Sequence, residues 1–238
     1  MSQSSEIHAP KMQSADKQRN ILVCDLDGTV IDSAPDLALT LCLLLRRDGR
    51  REPELAEVKN MIGDGATKLV ERGYAATGAK LSPDALTEKV REFLTIYNDH
   101  LAVGTILYPH VIEQLRALKN QGWRLAICTN KPFAPTQKIL NLFGLETLFE
   151  KAVGGDSYPV KKPDGDHILH LLREMDADPS QAVMLGDGKN DILAARNAGI
   201  PSILFTQGYG TEAARALSPD YILNSYTELS SLPLFTKE

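Results

Sequence analysis

Two carboxylates, Asp25 and Asp27, follow directly on the apolar run Ile21-Leu22-Val23-Cys24 and precede Gly28-Thr29. Like charges that close repel each other at the end of a buried strand unless something positive stands between them. A magnesium ion answers that need, because it is hard, takes oxygen ligands and binds through one or two carboxylates plus a substrate phosphate. Gly28 permits a sharp turn that leaves amide donors facing the same spot. Asp-x-Asp-Gly also occurs in plain turns and calcium loops. Counted as a calcium loop from Asp25, however, the fifth position is Thr29 and the twelfth is Asp36, where a glutamate is required. Cleaving a phosphate monoester needs a nucleophile, a proton donor for the leaving oxygen, and positive charge over the phosphoryl group. Asp25 can be the first and Asp27 the second. Further along, Thr129 offers a hydroxyl donor with the Asn130 amide beside it, a pair that also serves as ordinary turn chemistry. Lys162, just before Pro163, offers a compact cation, and Lys161 matches it on charge. Gly186-Asp187-Gly188-Lys189-Asn190-Asp191 delivers another carboxylate for a metal in Asp187, while Asp191 either supports the site or simply caps a helix.

The elements that must position these groups are written in the hydrophobic pattern. Ile21–Cys24 shows no polar alternation, which predicts a short strand buried on both faces. Ser33-Ala34-Pro35-Asp36 predicts a helix start, with Ser33 at the N-cap and the helix running through Leu37, Leu41, Leu44 and Leu45. Helical text continues over 54–61 and 65–77, then in a helix capped by Ser82 that carries Val90, Phe93, Leu94 and Tyr97. From Tyr108 the pattern changes to alternation. Helices carrying Val111, Leu115 and Leu118, then over 135–143, then with Ile168, Leu169 and Leu172, and over 191–198, separate strands at 123–128, Lys151–Val153, 182–185, Ser202–Phe205 and Tyr221–Leu223. That order predicts an α/β fold, a three-layer Rossmann-like parallel sheet with helices on both faces. Residues 19–34 and 105–238 form this core, and 35–104 is an all-helical insertion after the first strand. Residues 1–18, polar and aperiodic, read as a disordered extension. In such sheets functional groups collect beyond the carboxyl ends of the strands, where Asp25, Thr129 and Asp187 all fall.

Composition narrows the partners. The 238 residues are 43% hydrophobic and 24% charged, ordinary for a globular chain. Twenty-six basic against 31 acidic residues give a net charge of −5, so no global basic field argues for nucleic acid and an anionic substrate must be met by a few local charges. Cys24, Cys42 and Cys128 lie in hydrophobic stretches without a Cys-x-x-Cys pair, which reads as small buried side chains in a reducing compartment. No apolar run approaches about 18 residues and no signal-peptide core opens the chain. The expectation is a cytoplasmic protein without a membrane partner, a monomer or homodimer, acting on a small phosphorylated metabolite.

The hydrophobic strand, Asp25-Leu26-Asp27-Gly28-Thr29, Asp32-Ser33, then Thr129-Asn130, Lys162-Pro163 and Gly186-Asp187, in this order, resemble the four motifs of the haloacid dehalogenase-like (HAD) phosphatases over nearly all the chain after about residue 20. The resemblance implies that Asp25 attacks phosphorus, Asp27 is acid and base, Thr129 binds phosphate and Lys162 neutralises charge. It also implies magnesium held by the Asp25 carboxylate, the Asp27 backbone carbonyl and Asp187, with Asp191 in support, and a small cap formed by the helical insertion. Met61-Ile62-Gly63-Asp64-Gly65-Ala66, Leu69-Val70-Glu71-Arg72, Tyr108-Pro109-His110-Val111 and Thr129-Asn130-Lys131-Pro132 look like the phosphoglycolate phosphatase branch. Two positions depart from the pattern: Gly165 replaces a second proline, and Gly188 a serine. Substrate choice falls to the cap. There Gly63-Asp64-Gly65 can reach over the site, with Gly65 at the substrate, and Arg72 either meets a carboxylate such as glycolate's or is an ordinary salt-bridged helix residue. Gly63-Asp64-Gly65 follows a helix and lacks the third glycine of a dinucleotide fingerprint. His167 and His170 lack a third metal ligand and read as one helix face. The expected activity is magnesium-dependent hydrolysis of a small phosphate monoester, 2-phosphoglycolate first. Rivals are another small ester, nucleotide or pyrophosphate, a phosphosugar mutase, or a non-catalytic binding module, against which the intact Asp25, Asp27, Lys162 and Asp187 argue.

Overall fold

Strand β1 (Ile21–Cys24) lies at the middle of the molecule because none of its side chains tolerates water, and every one is buried. In a computed structural model that describes residues 19–235, the chain continues through β2 (Ile31–Asp32), α1 (Ala34–Arg47), α2 (Leu55–Lys59), α3 (Ala66–Ala76), α4 (Pro83–Asp99), β3 (Ile106–Leu107), α5 (Val111–Asn120) and β4 (Arg124–Cys128). There follow α6 (Phe133–Leu142), β5 (Lys151–Val153), α7 (Asp166–Glu174), β6 (Ala182–Gly186), α8 (Lys189–Ala198), β7 (Ser202–Phe205), α9 (Thr211–Arg215) and β8 (Tyr221–Leu223). The extension expected over 1–18 lies outside the described residues.

Six strands pair in the order β5-β4-β1-β6-β7-β8, all parallel. Successive side chains of a strand point to opposite faces, so Leu22 and Cys24 pack with Val111, Leu115 and Leu118 of α5, while Ile21 and Val23 pack with Ile168, Leu171 and Leu172 of α7. Three layers result, as the strand-helix alternation predicts. Because β1 is hydrogen-bonded to β4 on one side and β6 on the other, the residues that follow the carboxyl ends of these three strands are neighbours in space. These are Asp25, Thr129 and Asp187.

Helices α1 to α4 enclose an apolar cluster of their own, built on Leu41, Leu44, Leu45, Val70, Phe93 and Tyr97. Ser82 caps α4 by accepting the Ala85 N–H at 3.3 Å, as expected. Ser33 does not cap α1, although it stands at the N-cap position. Its hydroxyl donates to Asp27 Oδ1, and the Tyr209 hydroxyl receives the Ser33 and Ala34 N–H groups instead, at 2.8 and 3.1 Å. The helical stretch is also tied at its two ends. Buried Asp36 in the first turn of α1 accepts from Gly104 N at 2.6 Å and Thr105 N at 3.1 Å, just where the chain returns. Beside this point β2 and β3 form an antiparallel ribbon that hydrophobic alternation did not announce, each strand being two residues long. Helix α6 begins at Phe133, two residues before the expected start, since Pro135 sits inside the first turn where its missing N–H costs nothing.

Candidate active site

The turn after β1 sets the two leading carboxylates in different surroundings. Asp25 faces Lys162, whose ammonium lies 2.8 Å from Asp25 Oδ1 and 2.6 Å from Asp191 Oδ1. The directed hydrogen bond goes to Asp191, so Asp25 Oδ1 is a buried oxygen with an ion-pair neighbour and no hydrogen-bond donor. Asp27 turns the other way, accepting from the Ser33 hydroxyl and from Lys131 Nζ at 3.1 and 3.2 Å. The choice between the two lysines is settled by register. Lys162 is 2% exposed and points inward, whereas Lys161 donates to the Asp64 carbonyl oxygen at 2.8 Å. Two neighbours hold the Lys162 backbone. The Asn130 side-chain amide donates to its carbonyl at 2.9 Å, and buried His167 Nδ1 accepts its N–H at 3.3 Å. His167 Nε2 then faces the Gly154 carbonyl at 3.2 Å, which fixes the neutral tautomer with the proton on Nε2. Burial and the nearby Lys162 charge push this imidazole down to about 4. The histidine thus belongs to the site's scaffolding, a part its i, i+3 spacing with His170 does not disclose.

Asp187 leaves the end of β6 into a cradle of donors. Thr29 Oγ1 reaches its Oδ1 at 3.2 Å, and Tyr209 N and Gly210 N reach its Oδ2 at 2.6 and 3.3 Å. Gly28 closes the cradle from the β1 side; its φ of +88° and a hypothetical Cβ only 2.5 Å from Asp187 Oδ2 leave room for glycine alone. Carboxylate oxygens of Asp25, Asp187 and Asp191 all lie within 4.8 Å of one another. Asp191 is committed elsewhere: one oxygen holds Lys162 and the other accepts Gly188 N–H at 2.9 Å, so it caps α8 and positions the lysine at once.

Burial raises the Asp25 carboxyl to about 6, with Lys162 opposing and Asp191 adding to the rise. Asp187 is raised further, to about 8, by burial and then by the charges of Asp191 and Asp25. Burial alone would lower the Lys162 ammonium, but Asp191 and Asp25 outweigh it and keep the lysine charged. Three buried carboxylates against one ammonium is a surplus of negative charge. A hard divalent cation between the Asp25 and Asp187 carboxylates would cancel it, so the donor set suits magnesium.

Thr129 is buried, and its Oγ1 accepts Lys131 N–H at 3.2 Å, which leaves the hydroxyl proton to give away. Asn130 lines the cleft beside Thr129. Both hydrogens of its side-chain amide are engaged, with the Gly63 and Lys162 carbonyls at 3.0 and 2.9 Å, so the side chain braces the site. The Gly63-Asp64-Gly65 loop does reach over the site. Asn190 Nδ2 holds Gly63 O and Asp64 Oδ1 at 3.1 and 2.8 Å, and Gly65, with φ +88°, lets the loop come so close that a Cβ would sit 2.9 Å from Asn130 O. Arg72 lines this cleft, but its guanidinium bonds Asp64 and the Met61 carbonyl and so stiffens the loop. Lys131, Tyr209 and Asn190 join the site without having been marked by spacing. Lys131 and Asn190 lie within the motifs at 129–132 and 186–191, and Tyr209 lies outside them all.

Residues 22–205 match the family described as haloacid dehalogenase-like hydrolase. Phosphoglycolate phosphatase of Caulobacter vibrioides is 38% identical over 205 residues, which cover 86% of this chain and 86% of that protein. The enzyme of the same name from Psychrobacter arcticus is 36% identical over 227 residues, covering 89% and 98%. The crystal structure of a predicted phosphoglycolate phosphatase from Haemophilus somnus is similar with a TM-score of 0.84 and 34% identity, covering 90% of this chain and 97% of that one.

Proposed function

This chain belongs to the haloacid dehalogenase-like hydrolases, as a phosphoric monoester hydrolase similar to the phosphoglycolate phosphatases, and from that premise we propose that it hydrolyses 2-phosphoglycolate to glycolate and phosphate with magnesium. The observation that carries the reading is the buried Asp25 carboxylate, set between the Lys162 ammonium at 2.8 Å and the carboxylates of Asp187 and Asp191, all within 4.8 Å of one another. The Asp25 and Asp187 carboxylates and the Asp27 backbone carbonyl would hold the ion. When bound, it supplies positive charge against the phosphoryl oxygens and lets a carboxylate meet a phosphate without repulsion.

The chain's own residues supply the rest. A carboxylate oxygen of Asp25 attacks phosphorus as the bond from phosphorus to the leaving oxygen breaks, giving an aspartyl-phosphate. Asp27, standing beside it, delivers the proton that the leaving oxygen needs. It then takes a proton from water, which attacks the phosphoryl group, frees phosphate and restores the Asp25 carboxylate. Thr129 donates its hydroxyl hydrogen bond and Lys162 its charge to the phosphoryl oxygens as negative charge builds there.

The test is phosphate release from 2-phosphoglycolate, a sugar phosphate, a nucleoside monophosphate and pyrophosphate, each with magnesium and with EDTA. Phosphoglycolate is expected to lead and EDTA to abolish turnover. Asp25→Asn is expected to release no phosphate while keeping the wild-type circular dichroism spectrum. An active Asp25→Asn protein would remove the nucleophile from the scheme, and conversion of a sugar phosphate without phosphate release would point to a mutase.

A further inference from the structure

We propose that Lys131 is the residue by which this site selects a leaving group carrying a carboxylate. The inference rests on the phosphatase reading and adds to it a specificity determinant. Two cavities meet at Asp25 and Asp27. One, of about 190 Å³, contains Asp187, Asp191, Asn190 and Tyr209 in its walls and is the polar side on which the phosphoryl group belongs. The other, of about 40 Å³, is walled by Leu37, Leu69, Phe93 and Tyr97 from α1, α3 and α4, and by Thr129 and Lys131 from the core. A leaving group whose bridging oxygen sits at Asp27 extends into this second space.

Among the described residues that line the smaller cavity, Lys131 is the one cation. Its ammonium is buried, touches both Asp27 oxygens at 3.1 and 3.2 Å, and gives its remaining directed bond to the Tyr97 hydroxyl at 2.6 Å. A neutral hydroxyl is a partner that a carboxylate displaces, since charge-assisted hydrogen bonds are about twice as strong as neutral ones. The spacing also fits. The group that touches Asp27 is the group a carboxylate meets when it stands one carbon from the bridging oxygen. Arg72, the residue singled out for this task by its place in the sequence, lines only the larger cavity and is already bonded to Asp64 and Met61. The smaller cavity holds roughly three waters' worth of space, which suits a two-carbon leaving group.

The experiment compares 2-phosphoglycolate with ethyl phosphate, which has the same length and no carboxylate. In the wild-type enzyme kcat/KM is expected to favour phosphoglycolate by about 100-fold, the scale of one desolvated charge pair. Lys131→Met is expected to lower both activities, because Asp27 loses a neighbour, but to collapse the ratio by about 30-fold or more. Lys131→Arg should recover part of the ratio, and Arg72→Ala should lower both esters alike. Equal losses on both esters in Lys131→Met, or an arginine variant no better than methionine, would overturn the proposal. A measurement on the unmutated enzyme guards against a variant that fails to fold: glycolate should inhibit ethyl phosphate turnover, whereas ethylene glycol, its uncharged counterpart, should not. Equal inhibition by the two would also overturn it. If neither ester is turned over, the phosphatase reading fails; if both are turned over equally well, only the role of Lys131 fails.

Discussion

Replacing Lys162 by methionine keeps the length of the side chain and removes the ammonium that balances Asp25 and Asp191. The lysine is 2% exposed and its nitrogen stands 2.8 and 2.6 Å from the two carboxylates. Removing one partner of such a buried pair costs about 3–5 kcal/mol, because the other is left charged without water. This cluster has one relief, however. Asp25 and Asp187 are raised above the usual carboxylate range, to about 6 and about 8, by burial and mutual repulsion, and at Asp25 Lys162 partly offsets the rise. A carboxylate whose folded value is raised favours the folded state while protonated, and that contribution disappears as pH rises through the folded value. Loss of Lys162 raises Asp25 further, so the penalty is largest near pH 8.5 and smallest near pH 5, where the carboxylates take up protons. For a chain of 238 residues, 1 kcal/mol corresponds to about 2–4 °C in Tm, which puts the expected fall at roughly 6–20 °C at the higher pH. At the lower pH it should shrink to a few degrees. Thermal melts in EDTA at both pH values, followed by circular dichroism, measure this directly. A fall of the same size at both, or one below about 2 °C at pH 8.5, would refute the idea that Lys162 compensates the acidic cluster.

Two other perturbations probe the same cradle. Gly28→Ala forces an L side chain to φ +88°, about 1–2 kcal/mol of backbone strain, and drives a methyl group against Asp187; the magnesium concentration for half-maximal activity is expected to rise at least 10-fold, and an unchanged magnesium dependence would count against Asp187 as a ligand. Magnesium should also raise the Tm of the wild-type protein more at pH 8.5 than at pH 5, because Asp25 and Asp187 must lose their protons to bind it; the argument fails if melts with and without EDTA differ by the same amount at both pH values.

What was legible in the sequence, and what was not, divides along a physical line. A parallel strand buried on both faces must be written as an uninterrupted apolar run, and chemistry gathers where such a run stops, so Asp25, Thr129 and Asp187 could be read one at a time. Groups defined by a partner far along the chain could not. Charge does not separate Lys161 from Lys162; the Asn130 amide and the His167 ring, which grip the backbone of Lys162, do so. Tyr209 follows β7 in a loop with no motif, yet its N–H supports Asp187 and its hydroxyl receives the start of α1. The ribbon β2-β3 was missed because two residues cannot display an alternation. Lys131 was quoted within Thr129-Asn130-Lys131-Pro132, but its partner Tyr97 looked like one more apolar position on α4.

That last case shows why substrate choice is harder to read than bond-breaking in a fold of this kind. The phosphoryl side of the site is assembled from the ends of adjacent strands, whose register the backbone hydrogen bonds impose. The leaving-group side exists only where α1, α3 and α4 come down on the core, so its apolar walls Leu37, Leu69, Phe93 and Tyr97 are side chains that also serve the helices' own cluster. Phe93 and Tyr97 stack on each other at 6.1 Å and are buried like any core pair, and only the tyrosine hydroxyl, facing Lys131, distinguishes the cavity from ordinary packing. A substitution at Tyr97 therefore perturbs the packing of the helices and the placement of the cation together, whereas one at Lys131 acts on the cation, on Asp27 and on the Tyr97 face it touches, and removes no side chain from the helices' apolar cluster. For that reason Lys131, rather than the aromatic wall, is where specificity can be separated from stability.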